Sequence, residues 1–225
     1  MARSPHIRFI TIYPNLIEHY LKFGVFNKAG SILSYEVINL RDFADDKHGS
    51  VDDKPYGGID GMVLRADVLA AAVNIHPHDY IVSSSPRSET YFNQHEAHHL
   101  LNTFQDKDIA FICGRFSGID ERFERRYIKK SYSFGDFVVS GGELPCLMMA
   151  EAMIRLYPGV LGNKNSWHHD SFAVSQETGY VEHPLYTKPR VFEGEPVPLE
   201  LISGDHKIKE KWQKSASYHR PLRLK

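Results

Sequence analysis

The sequence predicts an α/β fold with a mostly parallel sheet that is covered on both faces. Short apolar segments alternate along the chain with longer stretches of helical periodicity, which is the pattern of a parallel sheet with crossover helices. Two of these segments, Tyr80 to Val82 and Ile109 to Cys113, are apolar throughout, as expected of interior strands. The length of 225 residues, with 42% hydrophobic and 24% charged residues, is that of an ordinary globular protein.

The spacing of apolar residues and the position of a proline predict the first strands and the first helix. His6 to Tyr13 is a predicted strand that ends at Pro14, and apolar residues at helical spacing predict a helix over Leu16 to Phe26. Tyr35 to Leu40 alternates as a second strand does. The polar, glycine-rich stretch 41–62 is predicted to be a long loop that is either functional or disordered.

The middle of the chain adds three helices to the two apolar strands. Asp67 is a candidate cap for the Ala-rich helix from Val68 to Asn74. Thr90 to Phe104 and Ile119 to Arg126 are the other predicted helices. Each helix lies between two predicted strands, as a parallel sheet requires.

The segment from Ser133 to Cys146 is predicted to be the centre of the functional site. Phe137 to Val139 looks like an interior strand, and the apolar positions from Leu144 to Leu156 suit a helix. The glycines beside the strand are those that let a ligand approach bare backbone: Gly135, Gly141 and Gly142.

Three loops leave predicted strands at their carboxyl ends, where sheets of this class bind ligands. The first loop follows Val82, the second follows Cys113, and the third surrounds Phe137. The chain has neither a P-loop nor the dinucleotide G-x-G-x-x-G spacing, so these loops do not indicate a nucleotide phosphate site.

His95 to His99 matches the H-E-x-x-H spacing, which on a helix places His95 and His99 on one face with Glu96 between them. A zinc hydrolase is therefore one alternative hypothesis. The neighbouring Leu100 and Leu101 favour an ordinary amphipathic helix with solvent-facing histidines.

The chain is predicted to have two domains: a large domain over 1–160, a flexible linker over 161–176, and a small, mainly helical, basic domain over 177–225. The stretch from Asp205 to Lys225 has seven Lys or Arg residues against two acids. A basic helix over Lys207 to Lys214 can bind a nucleic-acid backbone although the whole chain has a formal charge of −1.

The sequence also indicates the compartment. No secretory or membrane-spanning stretch is evident, so a cytoplasmic protein with no membrane partner is expected. Cys113 and Cys146 lie in apolar segments and are predicted to be reduced core thiols.

Six motifs, in this order along the chain, give it a resemblance to the bacterial tRNA (guanine-N1)-methyltransferases of the TrmD type. They are Val51 to Gly58, Gly114 to Arg122, Ser133 to Pro145, Pro158 to Gly162, Asp170 to Phe172 and His183 to Pro189. The resemblance implies a SPOUT-class fold with a deep trefoil knot in the large domain and an obligate homodimer with composite active sites. It also implies that the enzyme methylates the guanosine 3′-adjacent to the tRNA anticodon, with S-adenosylmethionine as donor and S-adenosylhomocysteine as product.

The same resemblance assigns residues to roles. Asp170 would be the base and Arg155 the electrophilic partner, while Asp52 and Gly61 would lie near the target guanosine. Lys207, Lys211 and Lys214 of the basic helix would bind the anticodon arm. The methyl donor would contact Ile81, Val82, Ser83, Gly114, Phe116, Ser117, Ser133, Phe134, Gly135, Phe137, Val139, Gly141, Gly142 and Pro145.

Two departures from the family pattern support a second hypothesis. Ser117 replaces an expected glutamate, and the first donor loop is Ser83 to Arg87 rather than a Ser-Pro-x-Gly turn. An RNA-binding relative that has lost catalysis is therefore an alternative to an active enzyme. Assistance by Mg²⁺ is left open.

Overall fold

A computed structural model describes residues 5–162, 170–173 and 179–220. The chain divides into two compact units, Met1–Gly162 and Asn163–Leu224. Most of the predicted linker 161–176 lies outside the described residues. No helix in the described ranges is long and apolar enough to cross a membrane.

A five-stranded sheet forms the centre of the first unit. The strands of the described chain are β1 (His6–Thr11), β2 (Ser34–Asn39), β3 (Asp52–Asp53), β4 (Val63–Leu64), β5 (Tyr80–Ser84), β6 (Ile109–Ile112), β7 (Lys130–Tyr132), β8 (Tyr180–Val181), β9 (Val191–Phe192), β10 (Glu195–Pro196) and β11 (Tyr218–His219). The central sheet has the order β2-β1-β6-β5-β7, and every neighbouring pair in it is parallel. The predicted parallel sheet is confirmed.

The remaining strands form two-stranded antiparallel pairs, β3 with β4, β8 with β11 and β9 with β10. The helices are α1 (Pro14–Leu21), α2 (Gly24–Ala29), α3 (Ala66–Asn74), α4 (Gln94–Asp106), α5 (Glu121–Tyr127), α6 (Glu143–Ile154), α7 (Leu199–Ile202) and α8 (His206–Ala216). In three of these helices, α4, α5 and α8, the N-cap side chain accepts a hydrogen bond from a backbone N–H of the first turn. The N-cap residues are Asn93, Asp120 and Asp205.

Apolar side chains on both faces of the sheet make the core of the first unit. On one face Ile10, Ala110 and Ile81 join a buried cluster with residues of α3 and α5. On the other face Phe9 stacks on Phe111 with ring centroids 5.5 Å apart. Successive side chains of a strand point to opposite faces of the sheet, so the neighbouring residues Phe9 and Ile10 of β1 pack on opposite faces.

Two local predictions are wrong. The helix predicted over Leu16 to Phe26 is two helices, because Gly24 adopts a left-handed conformation with φ +57°. Asp67 does not cap α3, whose N-cap is Arg65. Asp67 instead accepts hydrogen bonds from the Arg65 guanidinium at 2.6 and 3.2 Å, and this contact lowers the Asp67 pKa.

Candidate functional site

A pocket of about 240 Å³ opens at the carboxyl ends of β5, β6 and β7. Its walls come mainly from the segments that follow these strands, since parallel strands end at one edge of the sheet. The three loops that the sequence places at this edge therefore surround one pocket. Ten residues expected to bind the donor line it: Gly114, Phe116, Ser117, Ser133, Phe134, Phe137, Val139, Gly141, Gly142 and Pro145.

The first wall begins at Ser84 and runs to Arg87. The strand before it extends two residues beyond its predicted end, so Ile81, Val82 and Ser83 are buried within β5 rather than in the wall. The Ser83 hydroxyl donates to Ser131 Oγ at 3.1 Å in the neighbouring strand. These three residues are used in sheet packing, and the polar turn after them faces the pocket.

The second wall follows β6 and has an unusual backbone. Phe116 has φ 59°, a left-handed conformation that is uncommon outside glycine. The next residue, Ser117, donates its backbone N–H to Met62 O at 2.8 Å. A Cβ on Gly61 would collide with Ser117 Oγ. The loop before β4 therefore packs closely against this wall.

The third wall follows β7, and here the prediction of an interior strand over Phe137 to Val139 is wrong. These residues are a loop whose side chains are 58%, 82% and 47% exposed. The strand is the more polar Lys130–Tyr132, which pairs with β5. The apolar triplet resembles a strand in sequence, but its side chains border the pocket. Gly135 turns the chain with φ +145° and is outside the lining.

Backbone groups of the second and third walls touch each other at two glycines. Gly142 donates its N–H to Gly114 O at 2.7 Å. A Cβ on Gly142 would lie 2.7 Å from Gly114 N and 3.1 Å from Cys113 Cα, and one on Gly141 would collide with the Arg115 guanidinium. Backbone atoms cannot move aside as a flexible side chain can, so only glycine fits at residue 142.

A buried ion pair joins these walls to β1. Glu143 is 1% exposed, accepts from Arg115 Nε at 2.7 Å and accepts from the Thr11 hydroxyl at 2.8 Å. Arg115 also donates to Ser140 O at 3.3 Å and lies over the Tyr13 ring, 4.5 Å from its centroid. The cluster therefore fixes the two glycine loops against the centre of the sheet.

The thiols near this cluster are both free and buried, as predicted. Cys146 donates to Ile112 O at 3.4 Å. Burial, followed by contact with Cys146, raises the pKa of Cys113, so this thiol behaves as a core residue.

Two further charged side chains line the pocket, Arg87 and Glu124. Arg87 donates to Glu121 Oε2 at 3.0 Å. Burial raises the pKa of Glu124, repulsion by Glu121 adds to this effect, and Arg87 opposes it.

The two residues expected to be catalytic belong to different units. Arg155 is the C-cap of α6 in the first unit. Asp170 begins a turn in the second unit, in which Ala173 N donates to Asp170 O at 3.1 Å. Their pairing in one site stays a prediction.

The Asp170 turn is held by contacts within the second unit. Phe172, with φ 64°, donates its N–H to Tyr180 O at 2.7 Å. Ser171 Oγ accepts from Glu182 N at 3.2 Å. The Arg220 guanidinium lies 4.8 Å from the Phe172 ring centroid. Backbone and side chain together thus connect this turn to β8 and to the segment that follows β11.

The residues expected to bind RNA lie on exposed or half-exposed surface. Asp52 is half-buried in β3, and Gly61 is exposed with φ +104°. Lys207, Lys211 and Lys214 are exposed on α8, and their spacing puts them on one face of that helix. The predicted basic helix is confirmed over His206–Ala216.

The H-E-x-x-H segment lies on α4. Glu96 accepts from the Tyr132 hydroxyl at 2.9 Å, so it ties the helix to β7, while the His95 side chain is 78% exposed. Among the described residues, no group of three or more His, Cys, Asp or Glu side chains could hold a metal ion.

Three side chains of the site are not among those predicted from the sequence: Arg115, Glu124 and Glu143. Arg115 and Glu143 lie inside the glycine motifs, but their partners are 28 and 132 residues away in sequence. Glu124 lies on a short helix rich in charge, and nothing in the sequence distinguishes it from its charged neighbours there.

The chain is similar to a set of bacterial enzymes along nearly its whole length. The family model described as "tRNA (Guanine-1)-methyltransferase TrmD" matches residues 6–224. The tRNA (guanine-N(1)-)-methyltransferase of Bartonella quintana (strain Toulouse) is 43% identical over 209 residues, 92% of this chain and 87% of the relative. That of Rickettsia typhi (strain ATCC VR-144 / Wilmington) is 40% identical over 219 residues, 94% of this chain and 92% of the relative.

A solved structure gives the same result. The crystal structure of the tRNA (m1G37) methyltransferase from Aquifex aeolicus matches with a TM-score of 0.75 and 32% sequence identity. The match covers 93% of this chain and 88% of the other.

Proposed function

The chain belongs to the TrmD family of tRNA (guanine-1)-methyltransferases, and on this premise we propose that it transfers a methyl group from S-adenosylmethionine to N1 of the guanosine 3′-adjacent to the tRNA anticodon. The observation that carries the proposal is the pocket at the carboxyl ends of β5, β6 and β7, whose walls are the Gly114 and Gly141-Gly142 motifs. S-adenosylmethionine, when bound, supplies an electrophilic methyl group.

The pocket fits this donor in chemistry. Phe134, Phe137, Val139 and Pro145 give an apolar lining suited to a purine ring, and the glycines, which have no side chain, would let the donor approach the backbone closely. The ten lining residues named above would contact the donor. Ile81, Val82, Ser83 and Gly135 would shape the walls from behind.

The path of the chain around the pocket supports the proposed trefoil knot. After edge strand β7, the chain passes along the loop that follows β6, where Gly142 bonds to Gly114. It then enters α6, whose first residue, Glu143, reaches Thr11 at the end of interior strand β1. A chain that returns from the edge to the interior of the sheet in this way is the connection that a SPOUT-type knot needs.

Guanine N1 carries a proton, so its methylation needs a base near N1 and a positive group near O6, where negative charge develops. Asp170 would accept the proton. Arg155 would bring a positively charged guanidinium with a planar set of donors to the oxygen. The hydrogen bonds that hold the Asp170 turn favour one backbone geometry for the base.

The RNA and a second copy of the chain would complete the site. The exposed lysine face of α8 suits the phosphates of an anticodon arm, and Asp52 and Gly61 would approach the target base. A homodimer with composite sites is supported by the exposed apolar side chains Leu144 and Met148 on α6, 58% and 56% accessible. A cytoplasmic location is proposed, because tRNA is found there.

The experiment is transfer of tritium from S-[methyl-³H]adenosylmethionine to unmodified tRNA transcripts that differ only in guanosine or adenosine after the anticodon. Label in the guanosine transcript alone is the expected result. Label in neither, with donor and tRNA both bound, would instead favour the RNA-binding relative without catalysis.

A further inference from the structure

Glu124 is the acidic side chain in the described lining of the pocket, and the proposed function assigns it no role. It lies on α5 and borders the same cavity as the glycine loops. Within the described part of the chain, its carboxylate makes no hydrogen bond or ion pair. The two arginines of the lining, in contrast, each form an ion pair, Arg87 with Glu121 and Arg115 with Glu143.

An unpaired, partly buried carboxylate is unfavourable unless a cation reaches it. The raised pKa of Glu124 has this origin, with burial as the largest cause and the Glu121 charge as the next. The walls around it are largely apolar and include Phe134, Phe137 and Val139. A cation that enters such a pocket loses water and gains from a fixed negative charge more than it would at the surface.

We propose that Glu124 binds a cationic group in the methionine part of the methyl donor. The inference rests on the proposed function, which names a donor with two such groups, the sulfonium and the α-ammonium. Either group would satisfy the carboxylate by direct contact, whereas Arg87 attracts it only from a distance and both Arg87 and Arg115 donate to other carboxylates. Glu124 would thus select for a donor with positive charge over neutral adenine nucleosides.

The test compares wild type with Glu124→Gln in binding three ligands that share the adenosine part. S-adenosylmethionine has both cations, S-adenosylhomocysteine has the ammonium only, and 5′-methylthioadenosine has neither. Removing one charge-assisted contact should weaken binding of S-adenosylmethionine about tenfold and leave 5′-methylthioadenosine unchanged. An equal loss for S-adenosylhomocysteine assigns the contact to the ammonium, and no loss for it assigns the contact to the sulfonium.

The matched control is Glu89→Gln, which removes the same charge from an exposed residue of the neighbouring loop that does not line the pocket. It should leave all three affinities unchanged. Equal weakening of all three ligands by Glu124→Gln, or no weakening of any, would overturn the inference. Failure of wild type to bind S-adenosylmethionine would instead overturn the proposed function itself.

Thermal unfolding separates binding from structural support. A carboxyl whose pKa is raised by folding stabilises the protein below its unfolded pKa and loses that contribution as the pH rises through its folded pKa. At pH 7 Glu124 is therefore a cost to the ligand-free fold, and Glu124→Gln should keep or raise the unfolding temperature while weakening donor binding. A lower unfolding temperature would mean that Glu124 supports the fold, which contradicts the inference.

Discussion

Arg115→Met tests whether the buried ion pair holds the pocket together. The substitution keeps an unbranched chain but removes the partner of Glu143, whose carboxylate is 1% exposed and keeps only the neutral Thr11 hydroxyl. Removing one partner of a buried pair costs about 3–5 kcal/mol. The Arg115 side chain is 18% exposed, so we expect the lower end, about 3 kcal/mol, which is about 6–12 °C in unfolding temperature for a chain of this size.

The double variant Arg115→Met/Glu143→Leu should recover much of this loss, because neither charge is then left buried without a partner. Arg122→Met is the control, since Arg122 pairs with Asp120 while its side chain is 76% exposed; it should cost under about 1 kcal/mol. The assays are urea unfolding and calorimetric donor binding. An Arg115→Met protein as stable as wild type, or a double variant as unstable as the sum of the single ones, would refute this role of the pair.

Three other variants test the remaining parts of the site. Gly142→Ala should abolish donor binding in calorimetry, because the added Cβ would lie 2.7 Å from a backbone nitrogen. Gly162→Ala is the control and should be tolerated, because a Cβ at residue 162 would have no atom within 4 Å. A Gly142→Ala protein that binds the donor normally would show that the walls can separate. Asp170→Asn should abolish methyl transfer and leave the dissociation constant of the donor nearly unchanged, and normal turnover would exclude Asp170 as the base. Replacing Lys207, Lys211 and Lys214 by Gln should reduce the slope of log affinity for tRNA against log salt by about 2–3. The same change at the exposed Lys22, Lys28 and Lys107 should not, and an unchanged slope in the α8 variant would exclude this face from the RNA contact.

The sequence predicts the sheet and the edge of the sheet at which the pocket opens, because both depend on local composition. The apolar strands β5 and β6 and the glycines after β6 are evident without tertiary information. The error at Phe137 to Val139 has a physical reason: three apolar residues in a row have the same composition whether they pair in a sheet or border a pocket.

Long-range contacts limit what the sequence predicts at the site. Glu143 follows a glycine pair and looks like an ordinary first-turn acid, and its role appears only when Thr11 and Arg115 are brought to it. Glu124 is likewise one of several charges on α5 until the walls form around it. A knot of the kind proposed above depends on the path of the whole chain, which periodicity does not encode.

The most direct test of the central claim is the identity of the nucleoside that the enzyme makes. An unmodified transcript with guanosine 3′ of its anticodon would be incubated with enzyme and S-adenosylmethionine, digested to nucleosides and analysed by mass spectrometry against isomeric standards. The proposed reaction yields 1-methylguanosine from this transcript and none from its adenosine counterpart. Methylation at another guanine atom, or an equal yield of methylated nucleoside from both transcripts, would contradict it.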